Sequence, residues 1–243
     1  MHKEQRDAIV AGGGPAGPSA APVIEDSDLA EQQSWPEVAP ADYWEKRYTD
    51  AERVWSGKVN RALASIAASL PPGRSLDLGC GEGADAIWLA LQGWDALGID
   101  ISPTAIRRAS AAAAGVGPGR ARFQTGDLSS LPDDTYELVT ASFLHSPVEL
   151  SREDILRRAA ERVAPGGHML ITSHADFPPG ATVPHGHEHR FLSPEEEVAQ
   201  LALPVEEWTI LLAEKRSRTT TLPDGQHAEI EDVIVLIRRV ESK

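Results

Sequence analysis

Three features of the chain predict a doubly wound α/β fold. The first is a strand–turn–helix run. Leu76 and Leu78 follow Pro71, Pro72 and Gly73 as a short apolar segment with the marks of a buried strand. Gly79, Gly81 and Gly83 then recur at alternate positions, so a sharp turn lacks side chains and a ligand can lie against the main chain. Beyond it Ala84, Ile87, Trp88 and Leu91 recur at helical spacing until Gly93. The second feature is a series of further strand-like runs separated by helical patterns. The third is a pair of strands, Trp208–Arg216 and Ile230–Val240, that close the chain with no helix between them.

The turn itself reads Leu-Asp-Leu-Gly-Cys-Gly-Glu-Gly over 76–83. A dinucleotide fingerprint would run G-x-G-x-x-G with the pyrophosphate on the helix N-terminus. Here the glycines run G-x-G-x-G, and Asp77 stands two residues before the first of them. A carboxylate at the strand end repels phosphate and suits an ammonium. The pattern resembles motif I of the class I S-adenosylmethionine-dependent methyltransferases, whose cofactor carries an amino-acid moiety and no phosphate. That resemblance implies a mostly parallel seven-stranded sheet in the order 3-2-1-4-5-7-6, with the last strand antiparallel and helices on both faces. It also implies S-adenosyl-L-methionine as cofactor, held by Trp55, Asp77, Gly79, Cys80, Gly81, Asp100, Ile101, Asp127, Leu128 and Ser142.

Composition bounds the partners. With 243 residues the chain is long enough for one substantial domain plus an extension. A formal net charge of −14, with Lys and Arg scattered, argues against nucleic acid or an anionic membrane as partner. A single cysteine excludes a disulfide framework and fits a reducing cytoplasm. Cys80 lies inside the turn, where small size alone accounts for it. No apolar run approaches the roughly 18 residues of a spanning helix, and no signal peptide is visible. A cytoplasmic monomer or weak homodimer is expected.

Residues 1–34 carry a literal G-x-G-x-x-G at Gly12, Gly14 and Gly17. This stretch resembles the flavin-binding turn of thioredoxin-reductase-like oxidoreductases. Pro18, Pro22 and the acidic Glu25–Asp28 follow instead of a helix and a second strand, and proline inside a helix costs about 3 kcal/mol. The segment is therefore expected to be a flexible tail without a flavin site, and residues 35–243 to form the domain. Tyr43, Trp44, Arg47 and Tyr48 make a helical stripe, followed by Trp55-Ser-Gly-Lys-Val-Asn60 and an amphipathic helix over Val59–Leu70. W-x-x-R-Y followed by W-S-G-x-x-N resembles the N-terminal cover of small-molecule methyltransferases of the tellurite-resistance and thiopurine type. By that likeness Trp55 covers the cofactor while Trp44 and Tyr48 face the substrate.

Trp94–Asp100 reads as the second strand, ending in a carboxylate 23 residues beyond Asp77. At a strand tip of this fold Asp100 can accept both ribose hydroxyls, capping of the next helix being the alternative. Ser102 and Pro103 form an N-cap and first-turn pair. Arg120–Thr125 is the third strand, closed by Gly126, Asp127 and Leu128. The resemblance makes Asp127 the acceptor for the adenine amino group, with the Leu128 backbone NH nearby. Tyr136–Phe143 is the fourth strand, and Leu144-His-Ser-Pro147 leaves its end, where a methyl acceptor would meet the cofactor. His145 is the side chain there suited to proton handling, a histidine merely bonded to backbone being the other reading.

Ser151-Arg-Glu-Asp154 has the form of a capping box opening a helix through Val163, and Pro165-Gly-Gly167 turns into a fifth strand over His168–His174. Pro184-His-Gly-His-Glu-His189 has histidines at alternate positions, without the cysteine or helical i,i+4 pair of ordinary metal sites. A substrate-side loop with no metal is expected. Ser193-Pro-Glu-Glu196 is a second capping box, and Thr219–Glu229 is a turn-rich connection. The expected function is methyl transfer to a small-molecule nucleophile, a thiol, amine or hydroxyl, by in-line displacement. A catalytically silent cofactor-binding or interaction protein is the alternative. A nicotinamide-dependent dehydrogenase fits less well, lacking both G-x-G-x-x-G after the first strand and a Tyr-x-x-x-Lys pair.

Overall fold

Period-two alternation in the apolar strands decides the architecture. In the computed structural model, which describes residues 38–117, 120–177, 190–222 and 225–241, seven strands form one sheet in the order β3-β2-β1-β4-β5-β7-β6. They are β1 (Arg74–Leu78), β2 (Asp95–Asp100), β3 (Ala121–Thr125), β4 (Tyr136–Ser142), β5 (Val163–His174), β6 (Trp208–Thr221) and β7 (His227–Arg239). The first five pair in parallel, and β7 is antiparallel to both β5 and β6. Val139, Met169, Ile171, Val233 and Val235 point to one face, while Leu138, Leu170, Ile234 and Leu236 point to the other.

Helices α5 (Arg152–Glu161) and α6 (Pro194–Leu201) contribute Ile155, Leu156, Ala159 and Leu201 to the first face. Helices α2 (Arg61–Ala67) and α3 (Ala84–Leu91) contribute Leu63, Ile66, Ala86 and Leu89 to the second. Two further helices, α1 (Pro40–Asp50) and α4 (Pro103–Ala112), pack together beside the glycine turn. Glu45 of α1 fixes that contact, accepting hydrogen bonds from the Ser102 hydroxyl and from the Thr104 amide and hydroxyl.

Several element boundaries differ from expectation. Helix α2 is shorter than Val59–Leu70, because the Asn60 side chain accepts from the Ala62 and Leu63 amides and starts the helix there. Helix α3 buries Asp85, Ala86, Leu89 and Ala90. The expected stripe of Ala84, Ile87, Trp88 and Leu91 is not the core face, and Leu91 is 64% exposed. Small Ala86 and Ala90 let the helix axis approach the sheet closely. Ser151 makes no side-chain cap, and α5 ends at Glu161. Strand β5 starts at Val163 and runs through the Pro-Gly-Gly turn, with an irregular register between Tyr136 and Leu138. A Cβ on Gly167 would lie 2.9–3.1 Å from three backbone carbonyls, so glycine is needed in that irregularity. The hairpin is also longer than expected: Thr221 pairs with His227, which removes most of the turn-rich connection. The boundary at residue 35, the flavin-like glycines and the histidines of 185–189 lie outside the described residues.

Candidate cofactor and acceptor site

The glycine turn leads from β1 into α3 and is held by the end of β2. Cys80 N donates to Ile99 O at 3.0 Å, and Gly83 N donates to Cys80 O at 2.9 Å. Gly81 N donates to the Asp100 carboxylate at 2.9 Å. At Gly81 φ is +53°, and an added Cβ would meet Tyr48 Oη and Trp55 Nε1 at 2.9 and 3.0 Å. At Gly83 φ is +83°, and a Cβ would meet Ala109 and Phe123, so this glycine seats α3 against its neighbours. Cys80 rests its sulfur on Gly98, and burial first, then Asp77 and Asp100, pushes its thiol well above the usual range. A thiolate there is disfavoured.

Three carboxylates lie behind the turn. Asp77 is buried and accepts from the Thr140 hydroxyl at 2.7 Å. Asp85, in the first turn of α3, accepts from the Asn60 amide at 2.7 Å and from the Ser142 hydroxyl. Asp100 accepts from Gly81 N, Ser102 N and Ile101 N. Burial raises all three above the ordinary carboxylate range, and for Asp77 the charges of Asp85 and Asp100 raise it further. Among the described residues none of the three forms an ion pair. This donor set fits a cationic cofactor. Bound there, S-adenosylmethionine supplies an electrophilic methyl on a sulfonium. Sequence reasoning missed Asp85, because an acid in the first turn of a helix ordinarily complements the helix dipole.

The other cofactor residues named from the sequence surround this corner. Asp127 is exposed just beyond β3, one oxygen accepting from Ser129 N at 2.7 Å, and Leu128 is buried beside it in the core. Gly126 N donates to Asp100 O, so the ends of β2 and β3 stay together. Gly79 touches Leu144 of the loop after β4.

Above the turn lies an aromatic cover. Trp55 Nε1 donates to Tyr48 Oη at 2.8 Å, and the Val54 and Trp55 amides donate to Glu82. Glu82 also pairs with Arg108 at 3.0 Å. Tyr48 is buried against Gly81 instead of facing an open substrate space, because its hydroxyl is needed by the Trp55 indole. Trp44 reaches the loop after β4, its Nε1 donating to Ser146 Oγ at 3.2 Å.

Around the loop after β4 gather residues far apart in the chain. Phe143 directly follows β4, with φ +51°. Its ring stacks on His174 at 4.3 Å, and His174 in turn stacks on His145 at 5.9 Å. Arg218 of β6 lies over Phe143 and donates to Asp232 of β7 at 2.6 Å. Behind them Arg152 makes a two-pronged pair with buried Glu197 at 2.9 and 3.0 Å, and donates to Ser173 Oγ and to Leu144 O. Of this group only His145 was singled out from sequence. His174, Asp232, Arg152 and Glu197 carry no motif and are assembled only by strand pairing.

A reversed hairpin closing a parallel sheet, with a glycine turn backed by buried acids at the ends of β1 and β2, defines a Rossmann-like methyltransferase fold. Residues 76–167 match a family model described as a methyltransferase domain. A 2-heptyl-1-hydroxyquinolin-4(1H)-one methyltransferase of Mycobacteroides abscessus is 38% identical over 119 residues, covering 46% of this chain and 52% of the relative. The structure solved for conversion of a disulfide bond into a thioacetal group during echinomycin biosynthesis is 25% identical. It superposes with a TM-score of 0.65, over 84% of this chain and 94% of that one. Magnesium protoporphyrin IX methyltransferase from Synechocystis PCC 6803, with S-adenosylhomocysteine (SAH) bound, has a TM-score of 0.53 at 19% identity, over 82% and 93% of the two chains. The chain spans about half the length of the curated relatives it matches. The matched segment is similar to a methyltransferase domain and takes in the glycine turn, Asp77, Asp85 and Asp100. No helix among the described residues is long and apolar enough to cross a membrane.

Proposed function

We propose that the protein transfers a methyl group from S-adenosylmethionine to a small-molecule thiol, amine or hydroxyl. The observation that carries this reading is the glycine turn clasped by Asp100, with Asp77 and Asp85 buried behind it and no cation beside them among the described residues. Asp100 holds the ribose hydroxyls, Asp77 and Asp85 favour the positive charge of the cofactor, and Gly79, Cys80 and Gly81 present backbone to it. Ile101 and Ser142 complete the pocket wall. Asp127 takes the adenine amino group beside the Leu128 amide, and Trp55 covers the whole. The net charge of −14 and the absence of a basic stripe support a small acceptor over a nucleic acid. The thiopurine- and tellurite-type likeness of the cover supports a soft or heteroatom nucleophile. His145 borders the acceptor, opposite the turn.

The test is calorimetric titration with SAH of the wild type and of Asp100→Ala. Each hydrogen bond to a charged acceptor contributes about 1.5–3 kcal/mol, so losing the carboxylate weakens binding by tenfold or more. Wild-type protein that fails to bind SAH overturns the reading.

A further inference from the structure

Helix α1 carries a cation that has no role in the site as described. Trp44, Arg47 and Tyr48 are spaced by three and four residues, so they share one face of the helix. Trp44 bonds to Ser146 of the loop after β4, and Tyr48 bonds to Trp55, whose indole lies against Gly81 of the turn. The Arg47 guanidinium packs over both indoles, 5.8 Å from the Trp44 ring centre and 5.6 Å from that of Trp55. It therefore bridges the ring fixed to the loop after β4 and the ring fixed to the glycine turn. Those two segments meet directly where Leu144 touches Gly79. Arg108, Arg152 and Arg218, also partly buried, each grip a carboxylate. Arg47 does not. Among the described residues it makes neither hydrogen bond nor ion pair, and its Nε is buried with no acceptor. A planar fork of N–H donors held in that state matches a carboxylate.

We propose that Arg47 is a carboxylate-binding residue of the cleft, its fork closing on an anionic group of a bound small molecule. This rests on the methyltransferase reading and deepens it. Asp77, Asp85 and Asp100 suit the positive groups of the cofactor but repel the carboxylate of its amino-acid part, which needs a cation from another element. A carboxylate on the methyl acceptor is the second source of the same chemistry, because Trp44 ties this helix face to the loop after β4. The indoles serve either ligand in two ways. They fix the guanidinium, so little side-chain freedom is left to lose on binding, and they shield the ion pair from water. A net charge of −14 repels an anion at long range, so a local cation is what admits one.

The experiment is calorimetry on the full-length protein with SAH and with methylthioadenosine, which keeps the nucleoside and the sulfur but lacks the amino-acid part. If the carboxylate is the cofactor's, Arg47→Gln weakens SAH by about tenfold or more and leaves methylthioadenosine unchanged. Arg47→Lys, which keeps the charge without the fork, then falls between. If the carboxylate is the acceptor's, Arg47→Gln leaves SAH affinity alone. It instead removes a preference in kcat/KM for thiosalicylate over thiophenol, which lacks the carboxylate. Equal weakening of SAH and methylthioadenosine overturns the proposal, because loss of packing in the aromatic cover then accounts for the change. Unchanged SAH affinity, with no preference for thiosalicylate that the variant removes, overturns it as well. Both of these results leave the methyltransferase reading standing. Wild-type protein that does not bind SAH removes that reading and the proposal together.

Discussion

The halves of the site proposed to take cofactor and acceptor are assembled in opposite ways. In the first, Asp77, Gly79, Gly81, Asp85 and Asp100 come from one run of chain, and backbone amides hold two of the acids, Gly81 and Ser102 holding Asp100 and Asn60 holding Asp85. In the second, Phe143, Arg152, His174, Glu197, Arg218 and Asp232 come from five elements and the loop after β4, and hold one another by side chains. A site made from contiguous backbone survives many substitutions around it. A site made of cross-strand side chains depends on each partner, and so does its stability.

The largest effect expected from this difference is at Glu197. It is 1% exposed and accepts from two Arg152 nitrogens and from Ser173 Oγ. Glu197→Ala leaves the Arg152 cation without its buried partner, a change that costs about 3–5 kcal/mol. Urea unfolding is the measurement, and the loss of the Leu144 O clasp should disorder the His145 loop as well. A change below about 1 kcal/mol, the level of exposed pairs, would show that solvent reaches this cluster.

The cofactor half responds to pH instead. The folded-state values of Asp77, Asp85 and Asp100 are raised, chiefly by burial. A raised acid supports the fold fully below its unfolded value near 4 and withdraws that support as pH climbs through its folded value. Each such group makes stability fall by up to about 1.4 kcal/mol per pH unit while it titrates. Asp77→Asn abolishes its share, so the wild type should lose stability relative to this variant as pH rises above the ordinary carboxylate value of about 4. S-adenosylmethionine, which brings positive charge, should narrow the gap. Parallel curves across that range would mean that Asp77 titrates as if exposed.

The same difference governed what could be read from the sequence. The strand, glycine turn and helix over Leu76–Leu91 were legible because the spacing of three glycines and one acid is a local pattern with one structural meaning. The strand order was legible through the closing hairpin. The face of α3 was not, since its bulkiest residues, Trp88 and Leu91, sit at the rim while alanines make the contact. Nor was the burial of Tyr48, which depends on an indole seven residues along the chain. The His174–Asp232 approach follows from their pairing as opposite residues of β5 and β7, and that register was set only once both strands had formed.

The smallest effect tests whether the cover belongs to the cofactor half at all. Trp55 is 38% exposed, and among the described residues its side chain makes one hydrogen bond, Nε1 to Tyr48 Oη at 2.8 Å. Trp55→Phe keeps an aromatic ring over Gly81 and removes that donor, a loss of about 1 kcal/mol. Because the Trp55 amide still donates to Glu82, the segment stays attached and global stability changes little. The effect should fall on ligand exchange: SAH leaves about fivefold faster, read by stopped-flow displacement, with its association rate nearly unchanged. An unchanged off-rate would make Trp55 a packing residue of the α1–α2 connection and return Gly81 to the backbone-only design of its half.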